Sequence, residues 1–133
     1  MIAYLNKLES PLPDETPDMT QVFLVDDEGY IRQLCSKELV KEGHEVVTAA
    51  SGHDLLRRIA LLQPEVVILN IRLIDYDGLK SLQDIRNHYH DLPVILCTAY
   101  DAYKCHPKAM VADYYVTKSY NLTQLKVAVK KSI

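Results

Sequence analysis

Short apolar runs that do not alternate with polar residues constrain this chain most. Val66-Val67-Ile68-Leu69 is apolar at four successive positions. Successive side chains of a strand point to opposite faces, so such a run predicts a strand covered on both sides. Val22-Phe23-Leu24-Val25 and Val94-Ile95-Leu96-Cys97 have the same character, and Val46-Val47 and Tyr114-Tyr115-Val116 are shorter versions. Between these runs lie segments with apolar residues at helical spacing. Ile31, Leu34, Cys35, Leu39 and Val40 recur between Glu28 and Glu42, and Gly43 supplies a stop. Leu55, Leu56, Ile59 and Ala60 follow Ser51 and Asp54, which resemble a capping box. Leu79, Leu82 and Ile85 share a face between Gly78 and Tyr89. A weaker helix is predicted from about Asp101 to Val111, interrupted by Pro107. Leu122, Leu125, Ala128 and Val129 form the apolar face of a last helix capped by Asn121 with Gln124.

Five strands thus alternate with five helices. Alternation with two-sided burial implies an α/β domain, a parallel sheet between two helical layers. Right-handed crossovers leave few topologies, and the doubly wound, flavodoxin-like (βα)5 order 2-1-3-4-5 is the one predicted. The 133 residues suit one domain, placed at 20–133. Residues 1–19 differ: Pro11, Pro13 and Pro17 alternate with Asp14, Glu15 and Asp18, which predicts an extended, mobile leader. The net charge of −3 argues against a nucleic-acid surface. No stretch approaches the roughly 20 apolar residues of a membrane span, and no charged region precedes an apolar run at the N-terminus. Cys35, Cys97 and Cys105 form no C-x-x-C pair, and the first two lie in apolar-patterned segments. Reduced thiols and a cytoplasmic location are the expectation.

In such a sheet, ligands collect at the carboxyl ends of the strands, beside the point where strand order reverses. Strand one ends in Asp26-Asp27-Glu28, strand three in Asn70, strand four in Thr98-Ala99 and strand five in Thr117-Lys118. Two carboxylates beside an amide oxygen form an all-oxygen site of the kind Mg²⁺ prefers. A hydroxyl and an ammonium on neighbouring strands suit a tetrahedral anion. The set fits a phosphoryl group bridged to Mg²⁺. Asp26 and Asp27 alone could equally be anions that favour a helix N-terminus.

Over about residues 20–132 the chain resembles the receiver domains of two-component response regulators, the CheY-like superfamily. The resemblance rests on Val25-Asp26-Asp27-Glu28, on the segment from Ile68 through Asn70 and Arg72 to Asp77-Gly78, on Thr98-Ala99-Tyr100, on Ala112-Asp113-Tyr114-Tyr115-Val116-Thr117-Lys118, and on the separations between them. It implies a signalling module in a phosphorelay rather than an enzyme, with a histidine kinase or phosphotransfer protein as partner. It implies that Asp26, Asp27, the residue at 70 and the backbone carbonyl of Arg72 hold Mg²⁺. Thr98 would be the switch hydroxyl, Tyr115 the switch aromatic, and Lys118 the lysine that contacts phosphoryl oxygens. Asp77-Gly78 would start the third helix in a structural role. The face of helix four, strand five and helix five would serve homodimer or output contacts.

Three departures stand out. Ile74 and Ser119 occupy positions where proline is common in the family; without proline after Lys118, a cis bond there is much less favourable. Asn70 stands where the family keeps the aspartate that accepts the phosphoryl group. An amide oxygen is neutral and its lone pair is delocalised, so a chain with Asn70 is expected to keep the fold, bind Mg²⁺ less well and resist phosphorylation. The rival expectation is a pseudo-receiver, a phosphorylation-independent interaction or dimerisation module. A phosphohydrolase of the haloacid dehalogenase type fits poorly, because Glu28 stands where that family has a second aspartate. With Asp26, Asp27 and an aspartate at 70 in one solvent-open cleft, the Asn70 form should exceed Asn70→Asp in metal-free stability by about 1 kcal/mol. His88 with His90 lack a third metal ligand and read as histidines favoured at a helix C-terminus, and Cys105 with His106 lack a placed base or oxyanion feature and do not read as a nucleophile pair. Lys126, Lys130 and Lys131 read as a solvated helix face, and Tyr100, Tyr103, Tyr114, Tyr115 and Tyr120 as part core, part partner surface.

Overall fold

The computed structural model describes residues 20–71, 77–99, 111–118 and 121–133. Five strands, β1 (Gln21–Val25), β2 (Glu45–Ala49), β3 (Val66–Asn70), β4 (Val94–Thr98) and β5 (Tyr114–Thr117), pair in parallel in the order β2-β1-β3-β4-β5. This is the predicted 2-1-3-4-5 order. The described helices are α1 (Gly29–Lys41), α2 (Leu55–Leu62), α3 (Gly78–His88) and α4 (Thr123–Ser132). The leader at 1–19 and nearly all of the weak helix at 101–111 lie outside the described residues. So do Arg72, Ile74, Cys105, His106, Ser119, Tyr100, Tyr103 and Tyr120.

The sheet divides two cores, as two-sided burial requires. Phe23, Val25, Val67, Leu69 and Leu96 pack with Leu55 and Ile59 of α2 and Leu79, Leu82 and Ile85 of α3. Val22, Leu24, Val66, Ile68, Ile95 and Val116 pack with Cys35 and Leu39 of α1 and Leu125, Ala128 and Val129 of α4. Every residue of β3 and β4 is buried. Val40 and Ala60, expected on apolar faces, are exposed instead.

The helix ends follow local chemistry. Gly43, at φ 93°, donates to the Val40 carbonyl at 3.0 Å, and His44 donates to Leu39 at 3.2 Å. That pair of bonds closes α1 as a Schellman motif, for which glycine is suited. Asn121 stands one residue before the N-cap of α4, which is Leu122, and its Oδ1 accepts the N–H of Thr123, the first residue of the helix, at 3.0 Å. The capping box at Ser51 and Asp54 does not form. Ser51 Oγ accepts from His53 N, Asp54 is left-handed at φ 57°, and α2 begins only at Leu55. Lys126 is also not a solvated lysine: it pairs with Glu38 of α1 at 3.0 Å and ties α4 to α1.

The two described thiols are buried between α1, β4 and β5. Burial pushes Cys35 up to about 11, helped by the Asp26 charge, and Cys97 up to about 12. Since the thiolate is the nucleophile, neither is expected to react with an aromatic disulfide reagent at pH 8 in the folded protein. Denaturation should add two reactive thiols to the count, and fast native labelling of either would contradict this packing. Folding favours their neutral form, so this contribution to stability is whole below about pH 9. It is lost as pH rises towards the folded values of about 11 and 12.

Candidate phosphoryl and metal site

The carboxyl ends of β1, β3, β4 and β5 meet because the strands are parallel and in register. Asp26 extends the β1 ladder by one bond, its N–H donating to the Ala49 carbonyl at 3.0 Å. Its side chain then turns the chain: Asp26 Oδ1 accepts the Glu28 N–H at 2.9 Å, and Arg32 holds the Asp26 carbonyl at 2.7 Å. Asn70 is the last residue of β3 and pairs in register with Cys97, one residue before Thr98. Lys118 follows β5, and its N–H donates to the Thr98 carbonyl at 2.6 Å. Gly78 donates to the Ile71 carbonyl at 2.8 Å, which seats α3 directly behind Asn70 and Ile71. Asp77 caps α3 by accepting the Leu79 N–H at 2.9 Å, as its position before the helix suggested.

These elements bring together Asp26, Asp27, Glu28, Asn70 and Lys118, with Thr98 at the adjoining strand end. Asp26, Asn70 and Thr98 are buried at 2%, 5% and 1% exposure. The Asn70 amide nitrogen lies 3.5 Å from Asp26 Oδ1 and 3.3 Å from Asp27 Oδ1, long contacts that signal weak hydrogen bonds. Lys118 Nζ pairs with Asp26 Oδ2 at 2.9 Å and with Glu28 Oε1 at 2.7 Å. Burial alone would lower the Lys118 pKa, but the hydrogen bonds to Glu28 and Asp26, with their charges, outweigh it and leave the ammonium above its ordinary range. Tyr115 is half-buried, packed against the core beneath α2 and α3. Arg72 lies outside the described residues.

Among the described residues, Lys118 pairs with two of the three carboxylates, and one oxygen from each of Asp26, Asp27 and Glu28 lies within 4.8 Å of the others. That donor set fits a hard divalent cation. The Asn70 amide presents its nitrogen to the carboxylates and would have to offer its oxygen to join such a set. Glu28 was legible as the third acid of the run, but its pairing with a lysine 90 positions away was not. The Arg32 anchor to Asp26 was likewise missed, since an arginine six residues on carries no motif.

Over residues 22–130 the chain matches the family model of the response regulator receiver domain. This chain belongs to the response regulator receiver family. The receiver is similar to the regulatory protein AtoC of Escherichia coli K12, at 32% identity over 117 residues; this covers 86% of the chain and only 25% of AtoC. It is also similar to the response regulator TrrA of Thermotoga maritima, solved in complex with Mg²⁺-BeF. There the identity is 38%, the coverage 86% of this chain and 100% of that one, and the TM-score 0.83. A crystal structure of histidine kinase ThkA in complex with TrrA matches at 38% identity and a TM-score of 0.81, covering 86% of this chain and 99% of that one. Among the described residues, no helix is long and apolar enough to cross a membrane.

The receiver's packing alters one expectation. Position 70 and Asp26 are buried, so the cleft there is not open to solvent. An aspartate at 70 would lose the two N–H contacts to Asp26 and Asp27 and set a third carboxylate against them. Asn70→Asp is therefore expected to be less stable without metal by on the order of 2 kcal/mol, more than an exposed cleft would give. Urea melts in EDTA measure the gap, and excess Mg²⁺ should narrow it, because a ligand of the folded state stabilises the tighter binder more. Equal midpoints in EDTA would mean that the charge at 70 does not reach its neighbours.

Proposed function

We propose that this receiver is a phosphorelay signalling module, not an enzyme, and that Asn70 occupies the position of the phosphoryl-accepting carboxylate. In this form it engages a histidine kinase or phosphotransfer protein without taking up the phosphoryl group. One observation carries this: the Asn70 carboxamide ends β3 within 3.5 Å of both Asp26 and Asp27, in the same cluster as the Lys118 ammonium. The TrrA complexes, one with Mg²⁺-BeF and one with a histidine kinase, support the same reading for this chain. Because the chain spans a quarter of AtoC, any output beyond the receiver is not part of the proposal.

The roles follow from chemistry. With aspartate at 70, an anionic oxygen would attack the phosphorus of a phosphohistidine; the P–N bond breaks and a P–O bond forms. Lys118 would balance charge on the phosphoryl oxygens, and Thr98 would offer its hydroxyl to one of them. Asp26 and Asp27, with the Arg72 carbonyl and the side-chain oxygen at 70, would hold Mg²⁺. Bound there, the cation offsets phosphoryl charge. Asn70 supplies that cation with no negative charge, so Mg²⁺ should bind this chain more weakly than Asn70→Asp.

A second proposal has its own support. Lys118 and the Asn70 amide each contact two carboxylates of the cluster. A site so cross-linked suits a pseudo-receiver that binds partners or a second copy whatever the phosphorylation state. The half-buried Tyr114 and Tyr115, with exposed Val127 on α4, would lie on the contact face. Phosphotransfer separates the two. A phosphorylated histidine kinase or acetyl phosphate is offered to both forms with Mg²⁺, and intact mass is read. A phosphoryl adduct on Asn70→Asp and none on Asn70 supports the first proposal. A folded Asn70→Asp that accepts nothing supports the second, and a hydroxylamine-labile adduct on the Asn70 form would refute the assignment of position 70.

A further inference from the structure

Lys118 is held from two sides, and the two partners differ. Asp26 is buried, and its carboxylate also accepts the Glu28 N–H and lies 3.5 Å from the Asn70 amide nitrogen. It is a fixed part of the floor. Glu28 is exposed, with 60% of its side chain open to solvent, yet it makes the shorter contact to Lys118, 2.7 Å against 2.9 Å. Its backbone is not free to drift: the N–H is bound by Asp26, and the carbonyl accepts the Arg32 N–H at 3.0 Å. The Glu28 side chain makes no cap bond to α1, so the helix does not need it there. A rigid backbone position therefore aims a carboxylate with no other ion-pair partner among the described residues at the Lys118 ammonium, from the solvent side.

We propose that Glu28 is a positioning residue that holds Lys118 in the resting site and competes with an incoming anion for its ammonium. This rests on the receiver reading above and adds a regulating element to the same site. An ammonium has three donors but one stem. Drawing it towards a phosphoryl oxygen strains the contact on the outer side first, because the inner partner is buried and fixed. Glu28 thereby sets how readily Lys118 is released. The metal positions implied by the family resemblance are Asp26, Asp27, 70 and 72, which leave the Glu28 carboxylate to Lys118.

The test has two arms. In the first, the chain is labelled with ¹⁵N-lysine, and exchange of the Lys118 ammonium protons with water is followed by NMR. Glu28→Gln is expected to speed that exchange about fivefold, while Glu42→Gln, an exposed carboxylate at the far end of α1, leaves it unchanged. Unchanged exchange in Glu28→Gln overturns the proposal. In the second arm, Mg²⁺-beryllofluoride binding is titrated on Asn70→Asp. Adding Glu28→Gln should tighten it about two- to fivefold, the range for a partly exposed ion pair. The gain should vanish when Lys118→Met is also present. An equal gain without Lys118 would make Glu28 a mere background charge and overturn the proposal, as would no gain at all. If Asn70→Asp binds no beryllofluoride, the receiver reading fails instead, and the NMR arm alone decides whether Glu28 holds Lys118.

Discussion

Asn70→Asp is expected to change phosphoryl uptake by at least about a thousandfold, the scale on which removing a reacting nucleophile acts. With acetyl phosphate and Mg²⁺, the mass of this chain should stay unchanged while the variant gains one phosphoryl group. The size of the effect comes from the atom at 70 and not from its surroundings. Asn and Asp have nearly the same shape, so Lys118, Thr98 and the Asp26-Asp27 pair keep their places. What changes is the attacking oxygen, neutral and resonance-depleted in the amide and anionic in the carboxylate. Under the proposed assignment the variant would also give Mg²⁺ one more charged ligand, so that the cation and the nucleophile would improve together. Titration calorimetry separates these contributions. A variant that binds Mg²⁺ more tightly yet gains no phosphoryl group would show that position 70 lies in the metal site but is not the acceptor.

How much of this was legible depends on whether a feature is set by repetition or by a single contact. The four-residue apolar runs at Val66 and Val94 declare two-sided burial by themselves, since each residue repeats the same message. From buried parallel strands the converging ends follow, so Asp26, Asn70, Thr98 and Lys118 could be placed together from sequence. Single side-chain contacts carry no such redundancy. Val40 matched the helical period but faces solvent, because the period says which side a residue is on and not where the neighbouring layer stops. Asp54 had the composition of a cap, but its backbone is left-handed and the helix begins after it. Arg86 left no trace at all. Its guanidinium, with the side chain 17% exposed, binds the carbonyls of Tyr89, His90, Leu92 and Val111 and the Asp113 carboxylate at 2.9 Å. It joins the end of α3 to the entries of β4 and β5, a role visible only when those segments are side by side.

Gly78→Ala should cost about 3 kcal/mol or more, a large share of a domain's total stability of about 5–15 kcal/mol. The reason is space, not backbone freedom. A Cβ at 78 would come closer than 3.0 Å to the carbonyl oxygens of Asn70 and Ile71 and to the Ile71 Cα. These are backbone atoms at the end of a fully buried strand, so no rotamer change relieves the contact. Gly43 is the contrasting case, with open space around its Cβ position and a left-handed backbone instead. To admit the methyl group, either α3 must back away from Leu69 and Leu96 of the sheet, or the Asn70–Ile71 segment must shift. The second route moves the residue at 70 relative to Asp26 and Lys118. Urea melts of Gly78→Ala read the first effect. Titration of Mg²⁺ into Asn70→Asp with and without Gly78→Ala reads the second, and weaker binding at full folding is the expected result. A loss below about 1 kcal/mol with unchanged Mg²⁺ affinity would mean that α3 does not press on the end of β3 and that the place of position 70 is held by the sheet alone.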